Sequence, residues 1–279
     1  MHPTLFSIGS LNIPTYTVLL DLGLILGLVL TYFEGKRALN NGTLALDAAL
    51  WAIVGGIVGG RIGYVMANWR VFNEDWARAI RIWEGGLSFH GALLGGLLVL
   101  ILFAQLHQKE ERPVSFWQLA DVITPGLGLG IAFGWAACLM GGCAYGALGE
   151  GFGFAILPDI YGVEASRFAA QAVGLAYSLV LFLGFWLLRG HWPFAGATFL
   201  MYGLLYLAGQ FFLESTRGDE AVYVGPWRLA QVLNLVLALA AAAGLLVLWW
   251  HFKKAAEQPG RGTEVEWGIE EPTEATGTD

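Results

Sequence analysis

Residues 229–252 read LAQVLNLVLALAAAAGLLVLWWHF, 24 positions without one Asp, Glu, Lys or Arg. At 1.5 Å of rise per residue that is about 36 Å of helix, set against a hydrocarbon core roughly 30 Å thick. This length and composition suit a membrane span. The whole chain repeats the pattern: of 279 residues, 56% are hydrophobic and 13% charged, with a mean hydropathy of +0.60. A soluble domain carries about 25% charged residues, so a water-soluble enzyme is excluded. Six further runs join the first, over 16–33, 44–69, 87–106, 116–140, 168–188 and 194–213. The predicted architecture is all-α: a polytopic bundle of seven transmembrane helices in one domain, residues 1–254, followed by an acidic, disordered tail over 255–279 with Pro259, Gly260 and Pro272.

Most of the net charge of −7 belongs to that tail, where Glu257, Glu264, Glu266, Glu270, Glu271, Glu274 and Asp279 face Arg261. The body is near neutral and offers no basic face, so no nucleic-acid partner is expected. The Met1 end has no Lys or Arg before its first apolar run. It lacks the positive region of a cleaved signal peptide, and the first span is expected to persist. Seven spans put the termini on opposite sides. With the N-terminus outside, the short inward segments hold Lys36, Arg37, Lys109, Arg112, Arg189, Lys253, Lys254 and Arg261, while Arg70, Arg78, Arg81, Arg167, Arg217 and Arg228 spread over longer outward loops. The positive-inside rule weights short loops, which favours an outside N-terminus and a cytoplasmic C-terminus.

Two outward segments exceed turns. Residues 70–86 contain Trp76 and Trp83 and suit a stretch lying at headgroup level. Residues 141–167, with six glycines between Gly141 and Gly153 and a breaker at Pro158, predict irregular backbone, and hence a cavity to receive its polar groups. Glycines at helical spacing in the second to fourth spans predict close helix packing. Cys138 and Cys143 match no zinc or redox spacing and are expected to be free thiols.

Ionisable residues inside spans cost on the order of 2.5–3.5 kcal/mol, so each implies a partner or a task. Asp21, Asp47 and Asp121 are assigned to packing or folding. Arg61, with Tyr64 one turn on, is either a snorkelling residue or an anion contact, most simply to a lipid phosphate. His90 opens the third span beside the expected cavity, where a neutral imidazole would take a proton from a nucleophile. Gln210, Glu214 and Arg217 share one stripe of the sixth span. They form either an internal Glu214–Arg217 ion pair or a polar cavity wall. No metal-ligand spacing, phosphate loop, dinucleotide fingerprint or nucleophile elbow appears, so neither metal nor cofactor is expected.

The runs Gly59-Gly60-Arg61-Ile62-Gly63-Tyr64, Trp83-Glu84-Gly85-Gly86-Leu87-Ser88-Phe89-His90-Gly91 and Phe211-Phe212-Leu213-Glu214-Ser215-Thr216-Arg217-Gly218-Asp219 resemble, in order and spacing, the prolipoprotein diacylglyceryl transferase family. The resemblance implies a bacterial inner-membrane enzyme that moves the diacylglyceryl group of phosphatidylglycerol onto the lipobox cysteine of a preprolipoprotein. It makes His90 the catalytic base or proton relay and has Arg61, Glu214 and Arg217 shape the phosphoglycerol pocket; Tyr64, on the Arg61 face, and Gln210, which stands where the family has an arginine, join the expected lipid- and phosphate-binding set. Where the family signature has an arginine, two asparagines and a glutamate, this chain has Trp135, Cys138, Gly141 and Cys143. A non-catalytic relative that binds lipid or a partner protein is the alternative, with a transporter behind it.

Overall fold

The computed structural model describes residues 4–8, 11–73, 75–109 and 113–257. A hairpin of β1 (Thr4–Ile8) and β2 (Leu11–Pro14) leads into α1 (Thr15–Ala38). Then come α2 (Gly42–Ala67), the single turn α3 (Trp69–Phe72), α4 (Phe89–Leu106) and α5 (Phe116–Gly141). A second hairpin, β3 (Phe154–Pro158) with β4 (Glu164–Phe168), precedes α6 (Ala170–Leu187) and α7 (Ala197–Glu214). The strands β5 (Tyr223–Val224) and β6 (Trp227–Arg228) close on each other before α8 (Leu229–Ala256).

Seven helices, all but α3, are long and apolar enough to cross a membrane, and the chain is a multi-pass helical membrane protein. α8 runs to Ala256, two residues into the segment assigned to the tail; residues 258–279 lie outside the described residues. Residues 141–167, predicted to be irregular throughout, instead contain the β3–β4 hairpin, with Pro158 at the end of its strand, where a missing N–H costs no ladder bond.

Side chains do not set the tightest helix contact. α2 packs on α4 through facing glycines, so closely that a Cβ on Gly59 would sit 2.4 Å from the Gly91 carbonyl oxygen, and one on Gly95 2.3 Å from that of Gly55. In a bilayer the hydrophobic effect gives helices no reason to associate, and such backbone contact supplies the dispersion energy instead. α1 packs on α5, and α7 on α8. Asp121 of α5 accepts hydrogen bonds from the backbone N–H groups of Gly196 (2.6 Å) and Phe199 (2.8 Å), placing a carboxylate on the N-terminal turn of α7, where free N–H groups and the helix dipole favour an anion. On the same side of the bundle, Glu34 pairs with Arg37 at 2.7 Å and with Arg189 at 3.2 Å.

The two cysteines are joined. Cys138, on the last turn of α5, forms a disulfide with Cys143, their Cα atoms 4.7 Å apart. The expectation of free thiols fails because α5 ends at Gly141 and Gly142 takes a left-handed conformation, folding the chain back beside the turn it has just left.

Candidate functional site

Because successive spans alternate in direction, the ends of α2, α5 and α7 and the starts of α4, α6 and α8 lie on one side of the bundle. Arg61, one-and-a-half turns before the end of α2, is 6% exposed. Its Nε donates to the Ala79 carbonyl (2.8 Å), Nη1 to those of Gly85 (2.5 Å) and Gly86 (3.0 Å), and Nη2 to those of Arg78 (2.5 Å) and Arg81 (3.0 Å). Those five bonds use every N–H a guanidinium possesses. As placed, Arg61 spends all of its donors on main-chain carbonyls and is the hub of the 78–86 loop. Tyr64 belongs to the same hub. Its ring covers Gly86, where φ is +84° and a Cβ would lie 2.4 Å from a ring carbon, and it meets Phe72 edge-on. Tyr64 thus packs the loop.

That loop delivers His90. The Ser88 backbone N–H donates to the Gly60 carbonyl (2.9 Å), and the Ser88 hydroxyl caps α4 by accepting from the Gly91 N–H (3.3 Å). His90 follows on the first turn, half-buried. Its Nε2 lies 2.8 Å from Oδ1 of Asn234, a residue of α8 that is 2% exposed. Sequence reasoning missed Asn234. Its signal was an amide in the middle of an apolar run, three residues after Gln231 and so on the same face.

The second group centres on Glu214. Arg217 donates to it from Nη1 at 2.5 Å, and Arg228 approaches its other oxygen through Nε at 3.3 Å, a charge contact without hydrogen-bond alignment. Asp219 accepts from Arg217 Nε (2.9 Å) and Nη2 and from Arg228 Nη2 (2.8 Å). Arg228 also donates to the backbone carbonyls of Arg217 (2.9 Å) and Asp219 (3.0 Å). The internal ion pair foreseen for Glu214 and Arg217 is present, extended by Asp219 and Arg228, which the stripe argument did not reach. Two cations meet two carboxylates, so the cluster is neutral. Burial works against the Arg217 charge, but its bonds to Asp219 and the nearby Glu214 carboxylate outweigh this and hold its pKa above the usual arginine value. Three of its five N–H groups are engaged, and two have no partner among the described residues. Its side chain is 21% exposed. Gln210, one turn before Glu214, is buried with its Nε2 unpartnered among the described residues.

The Arg217 backbone is fixed by the segment that follows the disulfide. Ala147 N–H donates to the Thr216 carbonyl (2.8 Å) and Gly218 N–H to that of Tyr145 (2.9 Å), while Phe168 N–H donates to the Ala147 carbonyl (2.9 Å) and Gln171 holds the Cys143 carbonyl (3.0 Å). These contacts correct the argument for a cavity, since protein takes up the loop polar groups that were expected to require one. Trp135, at the family arginine position, is buried against Gly174 of α6. Arg167 is engaged by Asp159 at 2.9 Å. Of the predicted residues, the structure thus gathers Arg61 with Tyr64 and Glu214 with Arg217, while His90 is held by Asn234.

Seven apolar spans among the described residues define a multi-pass helical membrane protein. The sequence pattern of prolipoprotein diacylglyceryl transferase matches residues 3–250, and the chain belongs to that family. It is 34% identical to a phosphatidylglycerol–prolipoprotein diacylglyceryl transferase of Bacillus licheniformis, over 91% of this chain and 94% of the relative. Proteins of the same name from Nostoc and Listeria welshimeri are each 32% identical, the former over 90% of both chains, the latter over 88% of this chain and 89% of its own.

Proposed function

We propose that the protein transfers the diacylglyceryl group of phosphatidylglycerol to the lipobox cysteine thiol of a preprolipoprotein in a bacterial cell membrane. The single observation that carries this from family to chemistry is Arg217, partly exposed, with two N–H donors that no described residue engages and the Glu214 carboxylate beside it. In the reaction a sulfur–carbon bond forms at the glyceryl carbon as the carbon–oxygen bond to phosphate breaks. The thiol proton passes to the His90 imidazole, and the bonding electron pair leaves with glycerol 1-phosphate. A thiol of pKa about 8.5 needs such a base, and the phosphate, gaining negative charge as it departs, needs a fixed cationic donor. Arg217 supplies it, and the Gln210 amide is the donor for the polar backbone of the lipid. Arg61 and Tyr64 act at one remove, by holding the loop that sets His90.

The reacting end faces away from the cytoplasm, with the N-terminus on that side and the C-terminus cytoplasmic. Lys36, Arg37, Lys109, Arg189, Lys253 and Lys254 at the opposite end support this orientation, as does the disulfide, a bond that persists in oxidising compartments.

The test is reconstitution of the full chain in phosphatidylglycerol vesicles with a lipobox peptide, read by mass spectrometry. A peptide heavier by one diacylglyceryl group, and none with His90→Ala, is the expected outcome. An unmodified peptide from the unaltered protein overturns the proposal.

A further inference from the structure

We infer that Asn234 is a positioning residue that fixes the tautomer of His90, so that Nδ1, and not Nε2, is the nitrogen that accepts the proton. This rests on the proposed role of His90 as the base, which it deepens.

The geometry carries the argument. An amide oxygen only accepts hydrogen bonds. With Oδ1 of Asn234 at 2.8 Å, Nε2 must be the protonated nitrogen, and the lone pair of the neutral ring is left on Nδ1. Nδ1 has no hydrogen-bond partner among the described residues. Asn234 is 2% exposed, and α8 is anchored three residues earlier, where Gln231 receives the Arg228 N–H (3.1 Å) and donates to the Phe211 carbonyl of α7 (3.3 Å). The ring plane is held as well: Phe89 meets the imidazole edge-on at 5.4 Å and leans on Tyr206 at 6.1 Å. An isolated imidazole divides its proton between two nitrogens and turns about its side-chain bonds. Here a contact across 144 residues of sequence selects one form and one orientation.

The experiment uses the full chain in phosphatidylglycerol nanodiscs with ¹⁵N-labelled histidine. The His90 resonances are assigned by their loss in His90→Gln, and turnover of a lipobox peptide is followed in parallel. At a pH where the ring is neutral, His90 shows a protonated Nε2 and a bare Nδ1. Asn234→Leu gives a mixed tautomer signal and lowers kcat about tenfold to a hundredfold at nearly unchanged KM, the scale for losing an orienting partner. Asn234→Asp, which keeps an acceptor oxygen, restores the Nε2–H signal and most of the kcat. A bare Nε2 in the unaltered protein, or a tautomer signal indifferent to Asn234→Leu, overturns the inference. If instead the Nε2–H signature stands while His90→Gln still turns over, the positioning is correct and the assignment of the base is what fails.

Discussion

Arg61 and Arg217 occupy the same end of the bundle and are held in opposite ways. Arg61 is fully coordinated by five main-chain carbonyls, with no carboxylate among its partners. Arg217 is held by two carboxylates, which leave two of its N–H groups without a partner among the described residues and a fifth of its side chain exposed. A guanidinium saturated by carbonyls organises a loop; one neutralised by carboxylates, with donors to spare, is the one that the proposed reaction assigns to the phosphate. A buried arginine near a membrane surface therefore says little about phosphate until its donors are counted.

The largest effect is expected from Arg61→Leu. It leaves five carbonyls of the 78–86 loop without their donor, a loss of about 3–5 kcal/mol by analogy with broken buried ionic networks, and releases the segment leading to His90. Thermal unfolding in detergent should drop sharply and turnover should vanish with it. A variant of normal stability but weakened phosphatidylglycerol affinity would reverse the contrast and return Arg61 to the phosphate. Arg217→Gln should do the converse, lowering kcat/KM by about 10²–10³ through loss of a charge-assisted donor, with a much smaller stability change. Its pH signature follows from the direction of its pKa. A cation held above its ordinary value contributes stability that is complete below the unfolded pKa and is lost only as pH rises through the folded one. The stability gap between Arg217→Gln and the unaltered protein should accordingly stay constant from pH 7 to pH 10; a narrowing in that range means the charge is not held as described. The smallest effect belongs to the disulfide. Cys138→Ser with Cys143→Ser should cost about 2 kcal/mol for so short a loop. Because the Tyr145–Ala147 segment carries the Arg217 backbone, the same variant should lower turnover more than Arg61-dependent loop order, as read by hydrogen exchange over 78–86.

The fold was legible because spans are long and the bilayer penalises every charge: seven apolar runs gave seven helices with boundaries shifted by a few residues. The short hairpins escaped because a two-stranded ribbon leaves little periodicity. Residues 154–158 and 164–168 are separated from each other by a turn, and nothing in them alternates cleanly. For the candidate site, residue types were readable and partners were not. Glu214 and Arg217 lie one helical turn apart, so their pairing could be anticipated, whereas Asn234 reaches His90, and the 78–86 carbonyls reach Arg61, only after the chain has folded across itself. The Cys138–Cys143 bond fell between these cases. It is local, but it depends on the reversal at Gly142, and a spacing rule built on metal ligands has no place for a helix that recoils on its own end.

The glycine contact between α2 and α4 has a mechanical consequence for this end of the molecule. Where main chain rests on main chain there are no rotamers to shuffle, and the two helices act as one plank. Arg61 stands on one helix of it and His90 on the other. Their separation is thus governed by covalent geometry more than by side-chain fluctuation, and the imidazole inherits the stiffness of the backbone beneath it.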